Sequence, residues 1–252
     1  MIDTTIAGRL INFAYGIYAW GVLVIVFIPA LLILIITPAQ LDRRRITRWF
    51  ARAVFLLVGS SIRIEKGSNL PEGPCVVVAN HSSYIDGMIL AASLPANFTF
   101  VITQRMARFP FAGYFLRRIG SEFVNREDNN QRHRVARKLF KAAQSGDALA
   151  FFPEGTFDDR PGLKPFKLGA FGAALRGQIP IVPIVIFGAR AKLSSQMWLP
   201  TPGALSISIL EAIEPNNHDS ALSLMTTSRD AILAQLNEPD LTNKQVSDGL
   251  DT

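Results

Sequence analysis

Between Leu10 and Ile36 the chain runs for 27 residues, LINFAYGIYAWGVLVIVFIPALLILII, with no charged side chain and one clearly polar one, Asn12. Coiled as a helix, such a run is long enough to cross roughly 30 Å of hydrocarbon, which rules out an ordinary core helix of a soluble domain. A cleaved signal peptide fits poorly: the run is too long, only Arg9 precedes it as a cation, and no small-residue cleavage pattern follows. Pro29 removes a backbone donor inside the run, so it either kinks one helix or divides the segment into two helices lying in one leaflet. Spanning and half-inserted arrangements are both open. DRRRITRWFAR follows, with Arg43, Arg44, Arg45, Arg48 and Arg52 against Asp42. The positive-inside tendency places this flank, and everything after it, on the cytoplasmic side. Tyr15, Tyr18 and Trp20 near one end and Trp49 beyond the other are candidate interfacial anchors, although Trp49 and Phe50 serve equally well as core.

The whole chain of 252 residues suffices for one principal domain with appendages. The net charge of +6 calls for an anionic partner, whether a phosphate-bearing molecule, an anionic membrane surface or a nucleic acid. The single cysteine, Cys75, excludes a disulfide framework and sits in an apolar run as a buried thiol would. Residues 61–67, 75–80, 98–103, 121–126, 147–152, 179–188 and 204–210 read as strands. Helical spacing covers 84–94, 109–119, 129–146, 166–176 and about 218–236. Strands alternating with helices imply an α/β fold, a mixed sheet flanked by helices, with its functional loops at one sheet edge. The expected organisation is a membrane anchor over 1–40, the α/β domain over 41–236 and a polar, disordered tail over 237–252.

The stretch VANHSSYIDG interrupts a buried strand with His81, one of three histidines, and places Asp86 five residues later. On an unbroken helix these side chains lie about 140° apart and cannot meet. A loop at Ser82 and Ser83, both good N-cap residues, lets the carboxylate fold back toward the imidazole, fix its tautomer and leave the other nitrogen as a general base. Ser83-x-x-Asp86 is also a capping-box pattern, in which Asp86 only satisfies a helix-end amide. The local sequence supports both.

Three further stretches bear on the choice. GSEFVNR ends in Arg126, and TQRMARFP contains Arg105. An arginine fork suits a phosphate, though a lone arginine is most often a solvated charge. FFPEGTF ends an apolar strand in Pro153, Glu154, Gly155 and Thr156, offering backbone amides and a hydroxyl at the same edge, or an ordinary turn. In PFKLGAF and IPIVPIVIFG, Lys167 adds charge at a helix start while Val182, Pro183 and Ile184 make an apolar wall; alone, these read as core packing. His133 and His218 show no zinc-ligand spacing, and no Gly-x-Ser-x-Gly elbow is present.

In this order, Asn-His-x-x-x-x-Asp at Asn80, His81 and Asp86, Gly-x-x-Phe-x-x-Arg at Gly120, Phe123 and Arg126, Phe-Pro-Glu-Gly-Thr at Phe152 to Thr156 and Val-Pro-Ile at Val182 to Ile184 resemble the glycerolipid acyltransferase family, typified by 1-acylglycerol-3-phosphate acyltransferases. The resemblance implies transfer of an acyl group from a coenzyme A or acyl-carrier-protein thioester to a lysophospholipid hydroxyl, without metal or other cofactor. It implies His81 as base, Asp86 as its orienter, and Arg126 with Glu154, Gly155 and Thr156 as the acceptor site, with Arg105 near where the family often places a basic residue. Many members continue the third motif with Arg-Ser, whereas this chain has Phe157, Asp158 and Asp159; the missing cation and two added carboxylates weaken a bare phosphomonoester site and raise the standing of a bulkier or zwitterionic head group. The acceptor implied by the motifs is 1-acylglycerol-3-phosphate; other lysolipids, a lysophospholipid hydrolase and a non-catalytic lipid binder are the alternatives. A nucleic-acid partner is not supported, since basic residues are not interleaved with aromatics.

Overall fold

The computed structural model describes residues 6–65, 70–124 and 147–242. Two helices, α1 (Ile6–Ile36) and α2 (Gln40–Leu57), precede β1 (Ile62–Glu65), β2 (Val76–Ala79), α3 (Asp86–Ser93) and β3 (Phe98–Thr103). A 3₁₀ turn at Gln104–Arg108, α4 (Pro110–Arg118), β4 (Glu122–Val124) and β5 (Ala148–Phe151) follow. The chain then forms α5 (Gly169–Gly177), β6 (Ile181–Phe187), the short α6 (Ala189–Lys192), β7 (Leu205–Ile209) and α7 (Ala221–Gln235). The expected helix over 129–146, and Arg126 and His133, lie outside the described residues.

The strands form one mixed sheet in the order β1-β7-β6-β2-β5-β3-β4. β6, β2, β5, β3 and β4 run parallel; β7 turns back against β6, and β1 follows β7. Central strands of such a sheet are covered on both faces, which is why VVVA and the Ile181–Ile186 stretch are continuous buried apolar runs without alternation. One face packs on α2 and α3 through Ala51, Phe55, Ile89 and Leu90. The other packs on α5 and α7 through Ala170, Phe171, Leu224 and Ile232. Val182, Pro183 and Ile184 are wholly inside this core, so their part is packing. Cys75 is buried as well, and burial pushes its thiol up to about 11.

Because β2, β3 and β5 are parallel, the segments that leave them, at His81, Gln104 and Phe152, emerge along one edge of the sheet. The loops of the opposite edge carry a different polar cluster. Arg44 of the basic run is buried there, donating to the Ile119 carbonyl at 3.0 Å and to Thr99 Oγ1 at 2.5 Å, and pairing with Asp147 at 3.4 Å. Arg43 donates to the carbonyls of Thr37, Pro38 and Arg118. These two arginines therefore hold structure together and are not free flanking charges.

α1 is a single continuous helix with Pro29 inside it, long and apolar enough to cross a membrane. It lies along the domain instead of standing apart. A stripe of mostly small residues, Gly8, Gly16, Ala19, Val22, Ala30 and Leu34, faces inward, and Ala19 and Val22 meet Val54 and Val58 of α2. Tyr15 and Tyr18 donate to the Val58 and Leu57 carbonyls at 3.0 and 2.8 Å. Trp20 Nε1 donates to the Trp198 carbonyl at 2.8 Å. At the other end Arg118 donates to the Leu34, Ile35 and Thr37 carbonyls, satisfying the acceptors that a helix terminus leaves open. The outer face exposes Leu10, Phe13, Ile17, Ile25, Leu32 and Ile36.

The expected polar tail is docked at its beginning. The Leu163 amide donates to the Pro239 carbonyl and the Leu241 amide to the Leu163 carbonyl, at 2.9 and 3.1 Å, while Leu241 is buried. Arg229 grips Asp240 at 2.6 Å, which holds that carboxyl well below the usual range, and Arg190 pairs with Glu238 at 3.0 Å.

Candidate active site

Asn80 follows the last residue of β2, and its buried side chain spans to the neighbouring strand. Its Oδ1 accepts the Ile186 amide at 2.7 Å and its Nδ2 donates to the Ile186 carbonyl at 3.1 Å. The amide thus continues the sheet's bonding pattern one residue past the strand and frees the following chain to turn. His81 occupies that turn. Its Nδ1 lies 2.9 Å from Asp86 Oδ2, with the imidazole 19% exposed and the carboxylate fully buried. The same Oδ2 accepts the Ser82 and Ser83 amides at 2.6 and 2.8 Å. Both roles open in the sequence are therefore filled at once: Asp86 satisfies amides ahead of α3 and also faces the imidazole. With Nδ1–H donated to a carboxylate, the neutral ring carries its lone pair on Nε2, for which there is no partner among the described residues.

Glu154 supports the turn from a distant part of the chain. Its Oε1 accepts the His81 amide at 2.6 Å and its Oε2 accepts the Lys164 amide at 2.9 Å. The side chain is buried, and that burial pushes its carboxyl up to about 7, against the lowering effect of the two amides. Its oxygens face the protein's own backbone, so what the structure displays is a clamp on His81 where a direct ligand was expected. No local pattern signals this bond, since its partners are 73 residues apart. Gly155 makes the turn possible by taking φ +80°, a region costly for other residues. Thr156 is exposed beside it.

The departure from the usual third motif has a structural counterpart. The Phe157 ring lies 4.5 Å from that of His81 and edge-on to Tyr84 at 4.9 Å, and Phe152 stacks on His81 at 4.3 Å. The imidazole thus has aromatic neighbours that limit water around it. Asp158 pairs with Lys164 at 2.7 Å and with Arg160 at 3.1 Å. Burial alone would raise its carboxyl, but these cations outweigh that and hold it below the ordinary range. Asp159 accepts from the Gln196 amide group at 2.7 Å. The added carboxylates are thus engaged by neighbours. Lys164, which the sequence reading passed over, supplies both an amide to Glu154 and an ammonium to Asp158.

Arg105 is exposed in the 3₁₀ turn after β3, on the same sheet edge, with no partner among the described residues. Lys167 is exposed just before α5, its amide donating to the Pro153 carbonyl at 2.9 Å. His218 is half-buried and hydrogen-bonds Ser223 at 3.0 Å, away from this cluster in the fold. Gly120 and Phe123 are in place before and within β4, while Arg126 itself lies outside the described residues.

The sequence pattern described as Acyltransferase matches residues 61–187, half of the chain, and spans the whole cluster from β1 to β6. The chain is 28% identical to a 1-acyl-sn-glycerol-3-phosphate acyltransferase of Saccharomyces cerevisiae, over 75% of this chain and 64% of that protein. It is 29% identical to the human 1-acyl-sn-glycerol-3-phosphate acyltransferase beta, over 68% and 63% respectively. It therefore spans somewhat under two thirds of the length of each. The crystal structure of the 1-acyl-sn-glycerophosphate (LPA) acyltransferase PlsC from Thermotoga maritima shares the fold, with a TM-score of 0.76 at 19% identity over 90% of this chain and 95% of that one. With the ordered motifs, the matched pattern and this architecture together, the chain belongs to the glycerolipid acyltransferase family.

Proposed function

We propose that this protein is a membrane-bound O-acyltransferase that moves a fatty acyl group from an acyl-CoA or acyl-carrier-protein thioester to the free hydroxyl of 1-acylglycerol-3-phosphate. The observation that carries the reading is the His81–Asp86 contact of 2.9 Å, which commits Nδ1 and leaves Nε2 to act on a bound hydroxyl. An alcohol is a weak nucleophile at neutral pH. Nε2 takes its proton as the oxygen attacks the thioester carbon, and Asp86 steadies the imidazolium that results. Collapse of the tetrahedral intermediate forms the ester and breaks the carbon–sulfur bond, and the proton passes from the imidazolium to the departing thiolate. No covalent enzyme intermediate, metal or other cofactor enters this scheme.

Glu154 acts in it as a positioning residue, holding the His81 backbone. The acceptor phosphate is assigned to Arg126, the Gly155–Thr156 turn and Arg105, and the names borne by the relatives support a lysophosphatidic acid acceptor. Engagement of Asp158 by Lys164 and Arg160 reduces its repulsion of a phosphomonoester. The apolar face of α1 supports a membrane seat, with the α/β domain on the cytoplasmic side. The deciding experiment supplies the purified protein with labelled acyl-CoA or acyl-carrier protein and a panel of lysolipids. Diacyl product, greatest with 1-acylglycerol-3-phosphate, is expected. Free fatty acid as the product would move the reading to a hydrolase, and preference for another lysolipid would change the acceptor but not the chemistry.

A further inference from the structure

Trp198 is the most solvent-exposed large apolar side chain among the described residues, at 89%. Yet it sits on a segment held from several sides. Its own carbonyl accepts from Trp20 of α1. Leu199 packs against Gly16 so closely that a Cβ there would lie 2.6 Å from the Leu199 Cβ. Just before the segment, Lys192 is buried, with its ammonium on Tyr15 OH at 2.8 Å and Ser60 Oγ at 2.5 Å. Gln196 ties it to Asp159, in the loop that follows Phe157. A fixed tryptophan in water, beside a helix whose outer face is apolar, lies between the membrane helix and the mouth of the candidate site.

A single helix lying on a bilayer defines an axis and leaves the attached domain free to roll about it. A second contact away from that axis removes the roll. We propose that Trp198 is such a contact: it enters the headgroup and upper acyl region of a phospholipid bilayer and turns the His81 edge toward the lipid. An amphipathic indole is suited to that depth, where its ring leaves water while its N–H stays near polar groups. Exposed Trp20 of the apolar helix α1 bonds the Trp198 carbonyl, so the two tryptophans adjoin on one surface, which identifies the occupant as lipid. On the far side of the edge, exposed Phe109 and Phe111, with Arg105 and Arg108, match the same surface in chemistry. The inference extends the reading of α1 as a membrane helix and does not depend on which acyl acceptor is used.

The test places a polarity-sensitive fluorophore at position 198 through Trp198→Cys, Cys75 being buried and its thiol weakly acidic. A matched label goes at Asp219, which is exposed on the segment between the 3₁₀ turn at Pro215–Asn217 and α7, near the opposite edge. With vesicles of phosphatidylethanolamine and phosphatidylglycerol, the label at 198 should shift to the blue and be quenched by bromine-bearing acyl chains, while that at 219 keeps its aqueous emission. In the otherwise unaltered chain, Trp198→Phe should reduce the share of tryptophan emission that brominated lipid quenches. Protein that floats with the vesicles while its label at 198 reports water overturns the proposal, as does quenching unchanged by Trp198→Phe. Both readouts are independent of acyl transfer.

Discussion

The sheet has a polar cluster at each edge, and they are built to opposite ends. Around Arg44, the guanidinium, Thr99, Asp147 and the Ile119 carbonyl use one another up. Around His81, the His81, Ser82, Ser83 and Lys164 amides and the imidazole Nδ1 are equally well matched by Asp86 and Glu154, but Nε2 and the second oxygen of Asp86 have no partner among the described residues. Buried polar groups are normally satisfied, so a closed cluster is a statement about stability and an open one about chemistry. The comparison makes specific demands on each side.

The largest effect is expected from His81→Ala, which should lower single-turnover acyl transfer by about a hundredfold to ten-thousandfold while the melting temperature stays near that of the parent. Near-normal turnover would remove His81 from the mechanism. Asp86→Asn is a mixed case, because Oδ2 takes all the donors and Oδ1 is buried without a partner. The replacement must direct its oxygen at the donors and leave its NH₂ unpaired, so a stability loss of about 1–3 kcal/mol should accompany the loss of turnover. Unaltered stability would mean that the amide bonds of Ser82 and Ser83 are worth little.

For the closed cluster the expectation is reversed. Arg44→Met should cost about 2–3 kcal/mol in a denaturant titration by stranding Thr99, Asp147 and a carbonyl, with turnover per folded molecule within twofold of the parent. A large kinetic defect in that variant would break the division between the two edges.

Glu154 gives a smaller, pH-resolved effect. Its carboxyl titrates near 7 when folded against 4.5 when unfolded, so the folded protein holds this proton more tightly. The stability it contributes is therefore fully present below pH 4.5 and is lost as the pH rises through about 7, on the order of 3 kcal/mol in all. Unfolding titrations at several pH values should show that fall, and Glu154→Gln should flatten it while also weakening transfer, because one of the two amides loses its acceptor. The smallest change is expected from Arg105→Ala, an exposed cation: a rise of less than tenfold in the apparent KM for the lysolipid, with that for the acyl donor unmoved.

Much of this was legible in the chain. The strand and helix alternation and the α/β class follow from periodicity and turn residues, while the break in helical spacing at Ser82 and Ser83 allowed His81 to meet Asp86 but left a capping role equally open. What escaped was long-range. β7 reverses direction against β6, and nothing in ALSISIL indicates it, since a short buried strand reads alike in either direction. Arg44 looks like its neighbours Arg43 and Arg45 until the fold brings Thr99 and Asp147 to it. Glu154 belongs to a motif, yet its contacts with His81 and Lys164 are formed by loops that only the finished sheet brings together. The docked start of the C-terminal tail escaped for the same reason: Asp240 and Glu238 read as solubilising charges until Arg229 and Arg190 face them.

The position of β1 has a consequence for how the molecule is made. This strand, the first in chain order among the described strands, lies at the sheet margin and pairs with β7, the last of them. A chain emerging from the ribosome therefore offers α1 and α2 long before β1 can find its neighbour. Contacts so distant in sequence close slowly. Throughout that interval the apolar length of α1 needs a refuge, and a bilayer can supply it while the sheet is still incomplete.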